Sequence, residues 1–231
     1  DPMTFNDGGL VDTFQYAVQA PNGSFIRGTA TEQQTAAIAY IVNKWGTTSD
    51  NNTAVMVKKA VYTIVGHWDD SRWASDDASI PSVQSWIDEA YAQVGPYSLT
   101  VDMVPAADNR TATVSLDLSN PVGSQGGRTV TMTTNGSSRF QSTGTTTWTG
   151  TALDANNQII EATGTSNVSV SATALVPGYQ IRQLTPAQAN QQDRQTLMAV
   201  SPDPDTVRNN STTHPMAAGF EVGITSQVTS F

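Results

Sequence analysis

Apolar residues in this 231-residue chain change their spacing once, near Gly95-Pro96, and that change constrains the fold more than any single motif. Before it they recur at three- and four-residue intervals, the period of a helix with one buried face. After it they alternate, the period of a strand with one face in a core. The spacing therefore predicts helices first and antiparallel strands second.

Three helices are expected. The first spans Glu32 to Trp45, with Thr31 as N-cap, Gln34 completing a capping box and Gly46 as the stop. The second runs from Asn51 to Val65, capped by Asp50 and ended by Gly66, with Ala54, Val57, Val61, Ile64 and Val65 as its buried stripe. The third follows Pro81-Ser82 and carries Val83, Trp86, Ile87, Ala90, Tyr91 and Val94 on one face. Ahead of them, turn signals at Asn6 to Gly9 and Pro21 to Gly23 flank a strand-like segment, Leu10 to Val18.

Beyond the boundary, Leu99, Val101 and Met103 alternate with polar residues, as do Ala112, Val114, Leu116 and Leu118, and later Val168, Val170 and Ala172. Turn signals such as Asn135-Gly136 and Asn156-Asn157 separate the runs. The expected fold class is α+β: a mainly helical N-terminal domain over residues 1–95, then an antiparallel immunoglobulin-like β-sandwich over 96–180. Residues 181–231 are expected to be an extended connector, with one possible short strand at Leu197 to Val200, and the start of a further β-region, because Phe220 to Phe231 alternates again.

Charge and cysteine content exclude several function classes. Eleven basic against twenty acidic side chains leave a formal net charge of -9, and Lys44, Lys58 and Lys59 are the only lysines. Phosphate neutralisation needs clustered Lys and Arg, so a nucleic-acid partner is excluded. Cysteine is absent, which excludes disulfides, thiolate metal sites and cysteine nucleophiles. Charged residues make up 13%, about half the usual share, and Thr, Ser, Asn and Gln supply the polarity instead. That composition points to an extracellular protein. No apolar run is long enough for a membrane span. A leader before Asp1 is expected to have been removed or never to have existed.

The helical region resembles the thioester domains of Gram-positive surface adhesins, actinobacterial ones in particular. The resemblance lies in Gln15-Tyr16-Ala17-Val18-Gln19-Ala20-Pro21, in Ala36 to Gly46 and in Ala54 to Tyr62. Residues 97–177 are similar to the β-sandwich that follows in such stalks, with Gly95-Pro96-Tyr97 at its start. In that family a cysteine near the opening and a glutamine in the later helix join as an internal thioester. The equivalent positions here are Thr13 and Lys58, which supply neither the sulfur nor the acyl group, so the covalent chemistry is not implied. What the resemblance does imply is a module of a longer, cell-wall-anchored surface chain. Lys–Asn or Lys–Asp crosslinks of the kind such stalks carry are excluded from residues 97–177, which contain no lysine.

Few residues suggest chemistry. His67 lies beside Asp69 and Asp70, with Asp76 and Asp77 close behind, but the spacing fits neither HExxH nor an EF-hand, and a solvated acidic loop accounts for it. His214 lacks the G-x-S-x-G context of a catalytic serine, and Asp88 and Glu89 do not converge. No catalytic residue, metal site or cofactor is assigned. Among the tryptophans, Trp86 falls at a core position, Trp45 is expected to pack inward, and Trp148 lies in a Thr-rich strand. Trp68 and Trp73 are the pair expected to be exposed, and they form the candidate ligand site. The expected function is a non-enzymatic module in adhesion or display, whose partner is a host or environmental surface ligand or glycan. The alternative is a carbohydrate-binding or enzyme-accessory module using Trp68 and Trp73.

Overall fold

Phe5–Val11 already forms a strand, β1, in which Gly8-Gly9 produce a bulge. Gly9 sits at φ +81°, a left-handed conformation that favours glycine, and its N–H donates to Asp7 Oδ1 at 2.8 Å. The computed structural model describes residues 4–19, 25–67, 81–187, 197–200 and 205–216. It divides into two compact units: Asp1–Tyr97, Asn120–Gly123 and Val176–Thr206 form the first; Ser98–Ser119, Ser124–Leu175 and Val207–Phe231 form the second.

In the first unit, β2 (Gln15–Gln19) and β3 (Phe25–Thr29) pair as an antiparallel hairpin. Helix α1 (Glu32–Trp45) follows with the expected capping box: Gln34 N donates to Thr31 Oγ1 at 3.1 Å, and Thr31 N donates to Gln34 Oε1 at 2.9 Å. The Gln34 amide nitrogen also donates to Ile64 O at 2.8 Å, tying the start of α1 to the end of α2 (Asn51–Ile64). Asp50 caps α2 through Thr53 N at 2.8 Å. Helix α3 (Gln84–Gln93) packs against α1 and α2. Alanines at 36, 37, 39, 60 and 90 are buried in the core, so the helix backbones can approach closely there. Phe14, Ile38, Ile41, Ile64, Val83, Ile87, Val94 and Ile181 fill the rest.

The α2 stripe differs from its expected form. Ile64 is buried and Val57, Val61 and Val65 pack partly against the core, but Ala54 is exposed while Lys59 and Ala60 are buried.

In the second unit, β4 (Ser98–Pro105), β5 (Thr111–Asn120), β10 (Ile159–Ala162) and β8 (Ser138–Phe140) are ordered β4-β5-β10-β8, with the short β6 (Gly123–Ser124) off β5. The other sheet is ordered β14-β11-β7-β9, from β14 (Asp205–His214), β11 (Val168–Pro177), β7 (Thr129–Thr134) and β9 (Thr147–Thr151). The short helix α4 (Ala152–Ala155) follows β9. Alternate residues are buried: Leu99, Val101 and Met103 on β4; Ala112, Val114, Leu116 and Leu118 on β5; Val168, Val170, Ala172 and Ala174 on β11. Each sheet thus has one buried face and one in water.

The expected α+β class with a mainly helical N-terminal domain is corrected: strands dominate the chain, and the first unit mixes strands with helices α1 to α3. Residues 181–186, expected to open a connector, are β12 (Ile181–Pro186), the middle strand of a sheet ordered β1-β12-β13, with β13 at Leu197–Val200. Phe5 pairs with Pro186 and Val11 with Ile181. Local periodicity could not reveal this, because a strand's hydrogen-bonding partner can lie anywhere in the sequence, whereas a helix bonds within four residues. The expected strand at Phe220 to Phe231 lies outside the described residues.

Candidate functional site

The two positions expected from the resemblance to stand where thioester partners would both lie at the surface. Thr13 is exposed just before β2, and Lys58 is exposed on α2 with its ammonium 5.9 Å from the Tyr62 ring centre. Trp68 and Trp73, with Asp69, Asp70, Asp76 and Asp77, lie outside the described residues. His67 lies edge-on to Tyr16 with ring centres 5.4 Å apart, and its Nε2 is buried without a hydrogen-bond partner among the described residues. Trp148 is buried. His214 ends β14 and meets Asp102 of β4, Nε2 to Oδ1 3.2 Å, while Thr212 donates to the same oxygen at 3.1 Å.

The structure gathers a different set of residues in the first unit. Tyr40 and Lys44 stand four apart on α1, hence on one face, with Trp45 closing the helix. Trp86 and Glu89 stand three apart on α3. Trp45 and Trp86 stack, centroids 4.2 Å apart and planes 7° from parallel. Tyr40 meets Trp45 at 6.1 Å and 74°, and Tyr179, just before β12, meets Tyr40 at 5.1 Å and 71°. These are offset-stacked and edge-to-face geometries that aromatic quadrupoles favour. The Lys44 ammonium lies 4.4 Å from the Trp45 ring centre, within cation–π range. Gly46 lets α1 end here: a Cβ at this residue would stand 2.4 Å from Val42 O, so the chain could not leave the helix this tightly with a larger residue.

Glu89 Oε1 accepts from both Tyr40 Oη and the Lys44 ammonium. The Lys44 hydrogen bond, then that of Tyr40, holds the Glu89 carboxyl below the usual carboxylate range. Lys44 is pushed up, chiefly by its bond to Glu89, and Tyr40 is pushed up by burial first and by Glu89 second. The cluster presents aromatic surface beside a charge-assisted donor and acceptor, which suits reversible recognition. Sequence periodicity placed Trp86 toward the core. In the structure Trp86 is half-buried against Trp45, while Trp45, Tyr40 and Tyr179 pack on the core beneath. The available signal was the i, i+4 and i, i+3 spacing of aromatic and charged residues on two adjacent helices.

No protein-family model matches the sequence, and neither does any curated protein. Among solved structures, the chain is similar to the thioester domain of the Enterococcus faecium TIE86 protein, with a TM-score of 0.40 and 10% identity, over 93% of this chain and 96% of that one. It is also similar to the Bacillus anthracis TIE protein, with a TM-score of 0.36 and 8% identity, over 78% of this chain and 38% of that one. These are distant likenesses to TIE proteins, and no residue role is carried across them.

Proposed function

We propose that the chain is a non-enzymatic, extracellular module of a bacterial cell-surface adhesin or stalk protein, in which it serves adhesion or display through reversible contact. Support comes from the resemblance of residues 15–21, 36–46 and 54–62 to thioester domains of surface adhesins, and from the lysine-poor, Thr-rich composition. The observation that carries the reading is the absence of cysteine from the chain, so that no thioester can form at Thr13 and Lys58 or elsewhere. Without a thioester, the module is read as holding its partner non-covalently. To test this, the purified chain is incubated with methylamine, and separately with a cell-surface extract, and resolved under denaturing conditions. The expected result is an unchanged mass and no denaturant-resistant adduct; either adduct would sink the proposal.

Carbohydrate recognition is favoured by one specific observation, the Trp45–Trp86 stack with Glu89 and Lys44 beside it.

A further inference from the structure

We propose that Trp86, laid on Trp45, is the floor of a subsite for one neutral pyranose ring of a glycan, with Glu89 and Lys44 taking its hydroxyls. This rests on the non-covalent reading above and names the ligand class of that surface.

The first ground is what Trp86 does not do. Tyr40, Trp45 and Tyr179 pack against the buried core of the first unit, whereas Trp86 is not among the side chains that do so. One of its faces lies flat on Trp45, and no other ring of the described residues stacks on it. A half-buried indole held in this way loses little further freedom when a ligand arrives, because its orientation is already set by the stack. A pyranose offers a patch of C–H groups on one face, which suits the electron-rich face of an indole.

The second ground is unused hydrogen-bonding capacity at the platform's edge. Glu89 uses Oε1 for both Tyr40 and Lys44, and among the described residues Oε2 accepts nothing. The Lys44 ammonium has three protons; it gives one to Glu89 and also bonds Tyr40, which leaves one. A carboxylate oxygen and an ammonium side by side offer one acceptor and one donor, the pair that two neighbouring hydroxyls of a sugar would take.

Charge then selects among ligands that could stack. The chain carries a net -9, Asp88 adjoins Glu89 on α3, and Lys44 is already paired with Glu89. Uronates and sialylated glycans, and the phosphates of nucleotides, would be repelled. A neutral hexopyranose meets no such penalty.

The test titrates the full chain with soluble gluco-, manno- and galacto-oligosaccharides and with oligogalacturonate, following indole Nε1–H resonances and intrinsic fluorescence. At least one neutral oligosaccharide is expected to shift the Trp86 resonance saturably at millimolar concentration, and oligogalacturonate to do so at least tenfold more weakly. Trp86→Ala, which leaves the core untouched, is expected to abolish the response. Glu89→Gln, a second variant that retains the platform, should weaken binding roughly tenfold, as expected for loss of one charge-assisted hydrogen bond. No shift with any neutral sugar, equal binding of oligogalacturonate, or unchanged binding by Trp86→Ala would each overturn the subsite. Covalent adducts play no part in this readout, so its failure is distinguishable from failure of the proposed function.

Discussion

Asp102 shows how much one side chain can do between strands. Its Oδ1 accepts from Met103 N at 2.8 Å and from Thr212 Oγ1 at 3.1 Å, and meets His214 Nε2 at 3.2 Å. Thr212 and His214, two apart on β14, reach it from one side of their strand. The Met103 N–H, then His214 and Thr212, hold the Asp102 carboxyl below its ordinary range. A carboxyl with a depressed folded pKa contributes stability above its unfolded value, and that contribution is lost as pH falls through the folded one. The advantage of the native chain over Asp102→Asn should therefore shrink as pH falls below about 4. Melting curves of both proteins from neutral to acid pH check this, and a difference that stays constant into acid contradicts it. Asn156 acts without charge. Its carboxamide accepts from Leu116 N at 2.7 Å and donates to Leu116 O at 2.9 Å, extending the β5 ladder where β10 no longer runs beside it. Asn156→Leu leaves both backbone groups unpaired and is expected to cost about 1–3 kcal/mol in urea unfolding. A smaller loss would mean that water replaces the amide.

Elements in the first unit depend on partners far away in sequence. Strand β12 bonds β1 on one side and β13 on the other, and its first residue, Ile181, is buried in the same core as α1 and α3. Ile181→Ala is therefore expected to destabilise the first unit by about 2–5 kcal/mol, the range for truncating a well-packed aliphatic side chain. Loss of helical circular dichroism at lower urea would report it. A surface-like effect below about 0.5 kcal/mol would mean that β12 is not integral to that unit. Helix α1, in contrast, draws its boundaries from neighbours: Thr31, Gln34 and Gly46 act within a turn of its ends.

At the scale of the whole molecule, chemistry is limited by what the chain lacks. With no cysteine and no lysine beyond Lys59, no thioester can form anywhere, and the second unit has no amine for a crosslink. The intact mass is expected to equal the sequence mass. A deficit of about 17 or 18 Da, the ammonia or water released on acylation of a side chain, would contradict this and point to Lys44, Lys58 or Lys59.

The sequence by itself determined the helices with their caps, the buried positions of the alternating strands, and the exclusion of thioester chemistry. Each of these depends on residue identity or on contacts within a few positions. The tertiary structure alone decided where the opening strands run: the segment expected from Leu10 to Val18 is divided between Phe5–Val11 and Gln15–Gln19. Phe5–Val11 finds its partner at Ile181–Pro186, and neither stretch carries a mark of the other. It also decided what Trp86 touches. Periodicity put that indole on the inner side of α3, but the neighbour there is Trp45 rather than the core, so a residue expected in the core is half-buried against another indole. The period of a helix identifies a face; only packing supplies what covers it.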